Sequence, residues 1–183
     1  SILVATPIGI LAAVYLQEYA KQGKLVRVIS FATECLAGIP SIVYGLFGGI
    51  FFVVALKLQY SILSGGLTVA IIILPTIIRS TEEALKTVPD TYREASLGLG
   101  ATKFQTLYKV ILPSAIPGIL SGVILSIGRV IGESAAILLT AGTVAKMPLT
   151  VFDSARTLTV HAYLLTKETG DIQTACGVGL VLI

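Results

Sequence analysis

Arg129 and Glu133 stand four residues apart inside the apolar stretch SGVILSIGRVIGESAAILLTAG, residues 121–142. On a helix this spacing places both on one face, with Ser126 and Thr140 on the same stripe. A charge near the centre of a bilayer costs about 2.5–3.5 kcal/mol on insertion scales, so such side chains face a bundle interior or a watery cavity. A third charge, Arg79, follows the apolar run ILPTII, roughly three turns before Pro89. Two arginines against one carboxylate leave a positive excess. A guanidinium suits an oxyanion in charge and donates two parallel hydrogen bonds to it. The residues therefore predict an anion path lined by Arg79 and Arg129. Glu133 is expected to hold Arg129 in place and to keep the site from binding its anion too tightly. Two plainer readings stay open: a structural ion pair of Arg129 and Glu133 that ties helices together, and an Arg79 that snorkels to the interface beside Glu82 or Glu83.

Other residues offer less chemistry. His161 is the one histidine and reads as solvated in an outer loop. Cys35 and Cys176 lie in apolar runs without metal-ligand spacing and read as buried free thiols. Glu18 is expected to cap or pair near the end of the first span. Tyr15, Tyr19 and Tyr60 suit an interfacial belt. No cluster of metal-ligand spacing supports a membrane-embedded enzyme. There is no G-x-x-x-x-G-K-[ST] phosphate loop, so any ATP must bind a partner.

The elements that must position these residues are membrane spans. The 183 residues are 55% hydrophobic and only 13% charged, and the mean hydropathy is +0.92, which marks an integral membrane protein. A net charge of +3 is too small to imply a nucleic-acid partner. Spans of about 20 residues are predicted at 1–19, 35–56, 62–85 and 110–141, with a fifth starting near residue 172. Residues 21–34 read as a basic turn leading into an interfacial helix, and 86–109 and 142–171 as polar connections. Both ends fall inside apolar runs and no signal peptide is legible, so a piece of a longer protein is expected, its last span truncated. Lys21, Lys24, Arg27, Lys86, Arg93, Lys103 and Lys109 put the 20–34 and 86–109 connections in the cytoplasm. The rows Gly118-xxx-Gly122-xxx-Ser126 and Gly128-xxx-Gly132 have the small-residue spacing of close helix contacts.

The 86–109 connection reads KTVPDTYREASLGLGATKFQTLYK. Thr91-x-x-Glu94 and Thr102-x-x-Gln105 fit capping boxes, which predicts a short helix at 92–98 and another running toward Tyr108. Gly98 and Gly100 are expected to end the first, and Pro113 to fall in the first turn of the next span. Phe104, Leu107 and Tyr108 share a face of the second helix, which either lies on lipid or docks a partner.

Glu94-Ala95-Ser96, Gly100, Val110 and Leu112-Pro113 resemble the E-A-A-x3-G-x9-I-x-L-P loop of ABC-importer permeases at every spacing, with Ser96 in place of alanine and Val110 in place of isoleucine. TPIGILAAVYLQEYA, LAGIPSIVYGLFG, LPTIIRSTEEALKTVP, GRVIGESAAILLTAG and SARTLTVHAYLL extend the resemblance to the phosphate permeases of that family over nearly the whole chain. The resemblance implies an all-α polytopic helical membrane protein, with residues 1–183 a single transmembrane permease domain of the type I ABC importer (MetI-like) class; six spans are usual there and five are legible here, so the first span is expected to be missing. Carried onto this sequence, Glu94, Ala95, Gly100, Leu112 and Pro113 would couple the spans to an ATPase. It further implies four kinds of partner: an ATP-binding subunit that carries ATP and Mg, a second homologous permease subunit, an extracytoplasmic phosphate-binding protein, and the lipid of a prokaryotic inner membrane. No cofactor is expected in this chain. Sulfate or molybdate permeases share the loop, and a stand-alone anion transporter or channel remains the alternative at this point.

Overall fold

The computed structural model describes residues 1–21 and 23–182. Gln22, in the expected basic turn, and Ile183, at the end of the expected fifth span, lie outside the described residues. The helices are α1 Ile2–Tyr19, α2 Lys24–Ala37, α3 Ser41–Ala55, α4 Ile62–Lys86, α5 Asp90–Gly98, α6 Lys103–Gly132, α7 Ala135–Thr140, α8 Leu158–Leu164 and α9 Ile172–Leu182. By length and composition α1, α4 and α6 can each cross a membrane, and α2 with α3 makes a fourth candidate.

Two expected spans are broken, both for local reasons. The 35–56 span divides because α2 and α3 meet at a 99° bend. Cys35–Ala37 end α2, and Pro40 stands extended at φ −58°, ψ 138° before α3. Proline lacks an N–H and disfavours helical backbone at the residue before it, here Ile39, so the helix stops. The 110–141 span starts earlier and ends earlier. Lys103–Thr106 runs through a π-helical turn at Leu107–Ile111 into Leu112–Gly132, so the second loop helix is the first turn of the span itself. Pro113 thus lies well inside α6, directly after the π turn, a common way for a helix to absorb a residue without an N–H. At the far end α6 stops at Gly132, and α7 begins three residues later.

The chain forms two compact units, and α4 and α6 contribute to both. The first unit comprises Leu3–Ala37 and Leu74–Ser126. Its core joins Ala84 and Leu85 at the end of α4, and Val88 just beyond it, to Leu107, Ile111, Ala115 and Ile119 of α6, with Ile10 and Val14 of α1 against them. Ala13, Leu16, Val26 and Ile78 form a second cluster. Lipid tails are as apolar as these side chains, so contact between spans depends on close fit rather than on exclusion of water. The small-residue row provides it: a Cβ on Gly118 would lie 2.6 Å from the Cβ of Ala84, and one on Gly122 would overlap Ser80. The Gly118–Gly122 row read from sequence is therefore the α4–α6 contact, whereas a Cβ on Gly128 or Gly132 would meet open space, so the second row makes no such contact among the described residues.

The second unit comprises Ser1–Ile2, Gly38–Ile73 and 127–183. Tyr44 of α3, Ile72 of α4 and Ala136 of α7 form its core cluster. A Cβ on Gly45 would come within 2.8 Å of the Cα of Ala136, so α3 and α7 touch backbone to backbone there. The 142–157 loop is anchored rather than loose. The first N–H groups of α4, on Ile62 and Leu63, donate to the carbonyls of Asp153 (3.0 Å) and Val151 (2.9 Å), which serves orphan donors that a helix start always leaves. The Asp153 carboxylate accepts N–H bonds from Leu149 and Thr150, both 2.8 Å, and these hold its pKa below the ordinary carboxylate value. His161 sits on α8, partly buried, with Nδ1 enclosed and without a hydrogen-bond partner, so it is not the solvated loop histidine expected. Cys35 and Cys176 are exposed on the surface of the chain, not buried, because α2 and α9 present those positions outward.

Candidate substrate path and coupling surface

The α4–α5–α6 segment is built by terminal chemistry. Lys86 ends α4, and Pro89 starts α5 without a side-chain cap. Thr91 lies within the helix rather than at its cap, so the first capping box does not form; proline's preset φ lets the helix begin two residues earlier, with Asp90 in the first turn where a carboxylate is favoured. The second capping box forms: Thr102 Oγ1 accepts from Gln105 N at 3.2 Å, and Gln105 Oε1 accepts from Thr102 N at 2.9 Å.

Gly98 remains helical, and Gly100 alone makes the turn, at φ +84°. Gly100 N donates to Leu97 O at 2.9 Å and Ala101 N to Ser96 O at 3.2 Å. This pair of bonds is the Schellman ending, which needs a left-handed residue that glycine adopts without strain. Glu94 and Ala95 are exposed on α5, and Leu99 is 90% exposed beside them. The segment thus offers an uncovered surface of Tyr92, Glu94, Ala95, Leu97 and Leu99. Leu112 is partly buried against the α4–α6 core and Pro113 is exposed, so these two motif residues shape the helix behind the surface.

Arg93, which the spacing did not single out, ties α5 down. Its Nη2 donates to Glu18 Oε1 at 2.8 Å and to Leu85 O at 3.2 Å; its Nη1 donates to Val88 O and to Asp90 Oδ1, both at 3.0 Å. The Glu18 bond raises the guanidinium's pKa further above its ordinary value, so it stays charged at every working pH. Glu18 thus pairs, as expected for the end of the first span, but with a partner 75 residues away. Ser96 makes a second tie: its hydroxyl shares a 2.9 Å hydrogen bond with that of Thr106, which is buried. The alanine of the family loop could not form this bond. Nothing local in the sequence marks either contact; an otherwise unexplained arginine beside Glu94 was the only signal.

The intramembrane charges fall in both units. Arg79, in the first, makes an ion pair with Glu34 of α2, Nη1 to Oε1 2.9 Å. The expectation that pairing could serve only one arginine therefore fails for Arg79: a carboxylate from the bent α2, unseen as a neighbour in the sequence, lies against it. Arg129 and Glu133 belong to the second. Arg129 is partly buried near the end of α6, and its charge reaches the phenol of Tyr44 on α3. Glu133 is buried, but it lies past the end of α6. The single helical stripe from Ser126 through Arg129 and Glu133 to Thr140 is therefore interrupted. Glu133 Oε1 accepts the N–H of Ala136 at 3.2 Å, and its carbonyl accepts the Thr159 hydroxyl at 2.9 Å. The carboxylate caps α7, whose own N-cap residue Ser134 makes no side-chain cap bond.

Residues 5–182 match the family described as binding-protein-dependent transport system inner membrane component. The chain belongs to this family. Among its relatives, the phosphate transport system permease protein PstA of Mycobacterium leprae (strain TN) is 40% identical over 99% of this chain and 60% of its own length. The PstA of Pasteurella multocida (strain Pm70) is 39% identical over 85% of this chain and 59% of its own length. The probable ABC transporter permease protein YqgI of Bacillus subtilis (strain 168) is 39% identical over 92% of this chain and 62% of its own length. The chain spans about three-fifths of the length of the curated relatives it matches. The fold is similar to that in the solved structure titled inward facing conformations of the MetNI methionine ABC transporter, with a TM-score of 0.74 and 23% identity over 98% of this chain and 79% of that one. The all-α fold and the membership of a family of transport-system inner membrane components are as the sequence resemblance led one to expect.

Proposed function

We propose that this chain is the permease subunit of an ATP-driven importer of inorganic phosphate. The observation that carries the reading is the exposed α5 surface. Glu94 and Ala95 stand uncovered on a helix ended by a Schellman turn at Gly100, in the loop whose spacing resembles that of ABC-importer permeases. Such a surface suits a groove of a separate ATP-binding subunit, which would carry ATP and Mg. Nucleotide-driven movement of α5 would then pass through Leu112 and Pro113 into α6, and the spans would alternate in access. A second homologous permease subunit and an extracytoplasmic phosphate-binding protein complete the proposed assembly.

Phosphate is favoured by the relatives named for it and by the arginines. Arg79 and Arg129 line the proposed path. Each guanidinium offers paired donors to a tetrahedral oxyanion of charge −1 to −2. Glu133 tempers the positive field near Arg129, so that the anion is released rather than trapped. The test is uptake of labelled phosphate by proteoliposomes holding the whole complex, with and without excess sulfate. ATP-dependent uptake that sulfate does not compete supports the reading. Sulfate competition at equal concentration assigns another oxyanion, and uptake without ATP assigns a stand-alone transporter.

A further inference from the structure

Arg93 has more partners than any other charged side chain described above, and they belong to three different helices. We infer that Arg93 is a positioning residue that makes α5, the end of α4 and the end of α1 move as one piece when α5 is displaced. The inference rests on the proposed docking of an ATP-binding subunit on α5 and names how that movement reaches the spans.

The geometry gives each bond a distinct task. The bond to Leu85 O takes a carbonyl of the last turn of α4, where a helix leaves its last acceptors without intrahelical donors, and the bond to Val88 O takes one in the short link from α4 to α5. The charge-assisted bond to Glu18 reaches α1, and that to Asp90 closes on the first turn of α5 itself. Four donors in one planar fork require arginine; a lysine ammonium could meet Glu18 but not both carbonyls in that plane. The Arg93 and Glu18 side chains are only 21% and 12% exposed, so little water competes for the pair.

Two weaker ties run parallel. The Ser96–Thr106 hydroxyl bond joins α5 to α6, and the Lys103 ammonium lies 5.3 Å from the centre of the Tyr19 ring, joining α6 to α1. Neither reaches α4. If Arg93 lets go, α5 keeps its helix, its Schellman end and its exposed docking residues, but its polar hold on α4 and α1 is gone. The consequence is ATP turnover without transport, rather than loss of docking.

The experiment uses the whole complex in proteoliposomes, with ATP hydrolysis and labelled-phosphate uptake measured on the same preparation. Arg93→Gln and Glu18→Gln are compared with wild type, and retention of the ATP-binding subunit is checked by co-purification. The expected result is ATP hydrolysis within about twofold of wild type and uptake per ATP lowered at least tenfold for Arg93→Gln. Glu18→Gln, nearly isosteric, should lower the ratio by a smaller factor, and Arg93→Lys should not restore it. A wild-type ratio of uptake to hydrolysis in the glutamine variants overturns the inference. If Arg93→Gln fails to assemble, Glu18→Gln decides by the same ratio. Failure of the underlying reading looks different: the wild-type complex then lacks an ATP-binding subunit or takes up no phosphate.

Discussion

Replacing Glu133 by glutamine and by alanine separates the cap that its carboxylate makes on α7 from the charge-tempering role proposed for it. The alanine variant deletes the acceptor for Ala136 N–H, 3.2 Å away. Ser134 makes no side-chain cap bond, so the Glu133 carboxylate serves as the cap at the start of α7. Loss of a side-chain cap costs about 1 kcal/mol, which for a chain of this size lowers Tm by about 2–4 °C. Glutamine keeps an amide oxygen in the same place and removes only the charge. Its Tm in detergent should therefore lie within about 1 °C of wild type, a residue of roughly 0.3 kcal/mol. Phosphate uptake by the reconstituted complex should nevertheless fall at least tenfold, about 1.4 kcal/mol of activation free energy, because Arg129 then stands without the tempering carboxylate. Equal Tm losses in the two variants would refute the cap argument. Wild-type uptake by the glutamine variant would refute the charge argument and leave Glu133 a structural residue.

Arg129→Gln should abolish phosphate uptake while the complex still assembles, as judged by co-purification; normal uptake removes Arg129 from the path. Glu34→Gln should leave uptake close to wild type, since its pair with Arg79 is 62% exposed on the Glu34 side and such pairs contribute about 0–1 kcal/mol. Arg79→Gln should lower uptake more than Glu34→Gln does, and equal effects would make Arg79 a structural partner only. Gly100→Val should cost about 1–3 kcal/mol of backbone strain at φ +84° and uncouple ATP hydrolysis from uptake in proteoliposomes. Apart from Gly100 and its chain neighbours, no atom of the described residues lies within 4 Å of a Cβ there, so unchanged coupling would mean that the turn tolerates the substitution and takes no part. Gly122→Leu should prevent stable assembly by overpacking against Ser80, and a normally extracted complex would refute the α4–α6 contact.

The sequence was most legible where information is local. Spans α1 and α4, the capping box at Thr102 and the left-handed turn at Gly100 follow from apolar length, hydroxyl-to-amide spacing and glycine's freedom at positive φ. The small-residue row at Gly118 and Gly122 was legible as a contact, though not its partner, since Ala84 and Ser80 belong to another span. What failed were inferences that extended one helix through a weak point. The apolar run 35–56 conceals Pro40, and hydropathy does not register a missing N–H. The run 110–141 conceals Glu133, whose carboxylate serves the next helix instead of the stripe below it.

Charge was harder still to read from sequence, because it pairs over long separations. Counting carboxylates within spans left Arg79 unbalanced, whereas its partner Glu34 sits in an amphipathic helix that the bend at Gly38–Pro40 turns by 99°. Glu18 and Arg93 are likewise joined only by tertiary packing. The same fact bears on the anion path. A membrane arginine is evidence for a substrate only after its protein partners are known, and Arg79 now has one. Arg129 too is engaged within its own unit, where its charge reaches Tyr44, so the case for either arginine rests on the uptake of its glutamine variant and not on a count of unmatched charges.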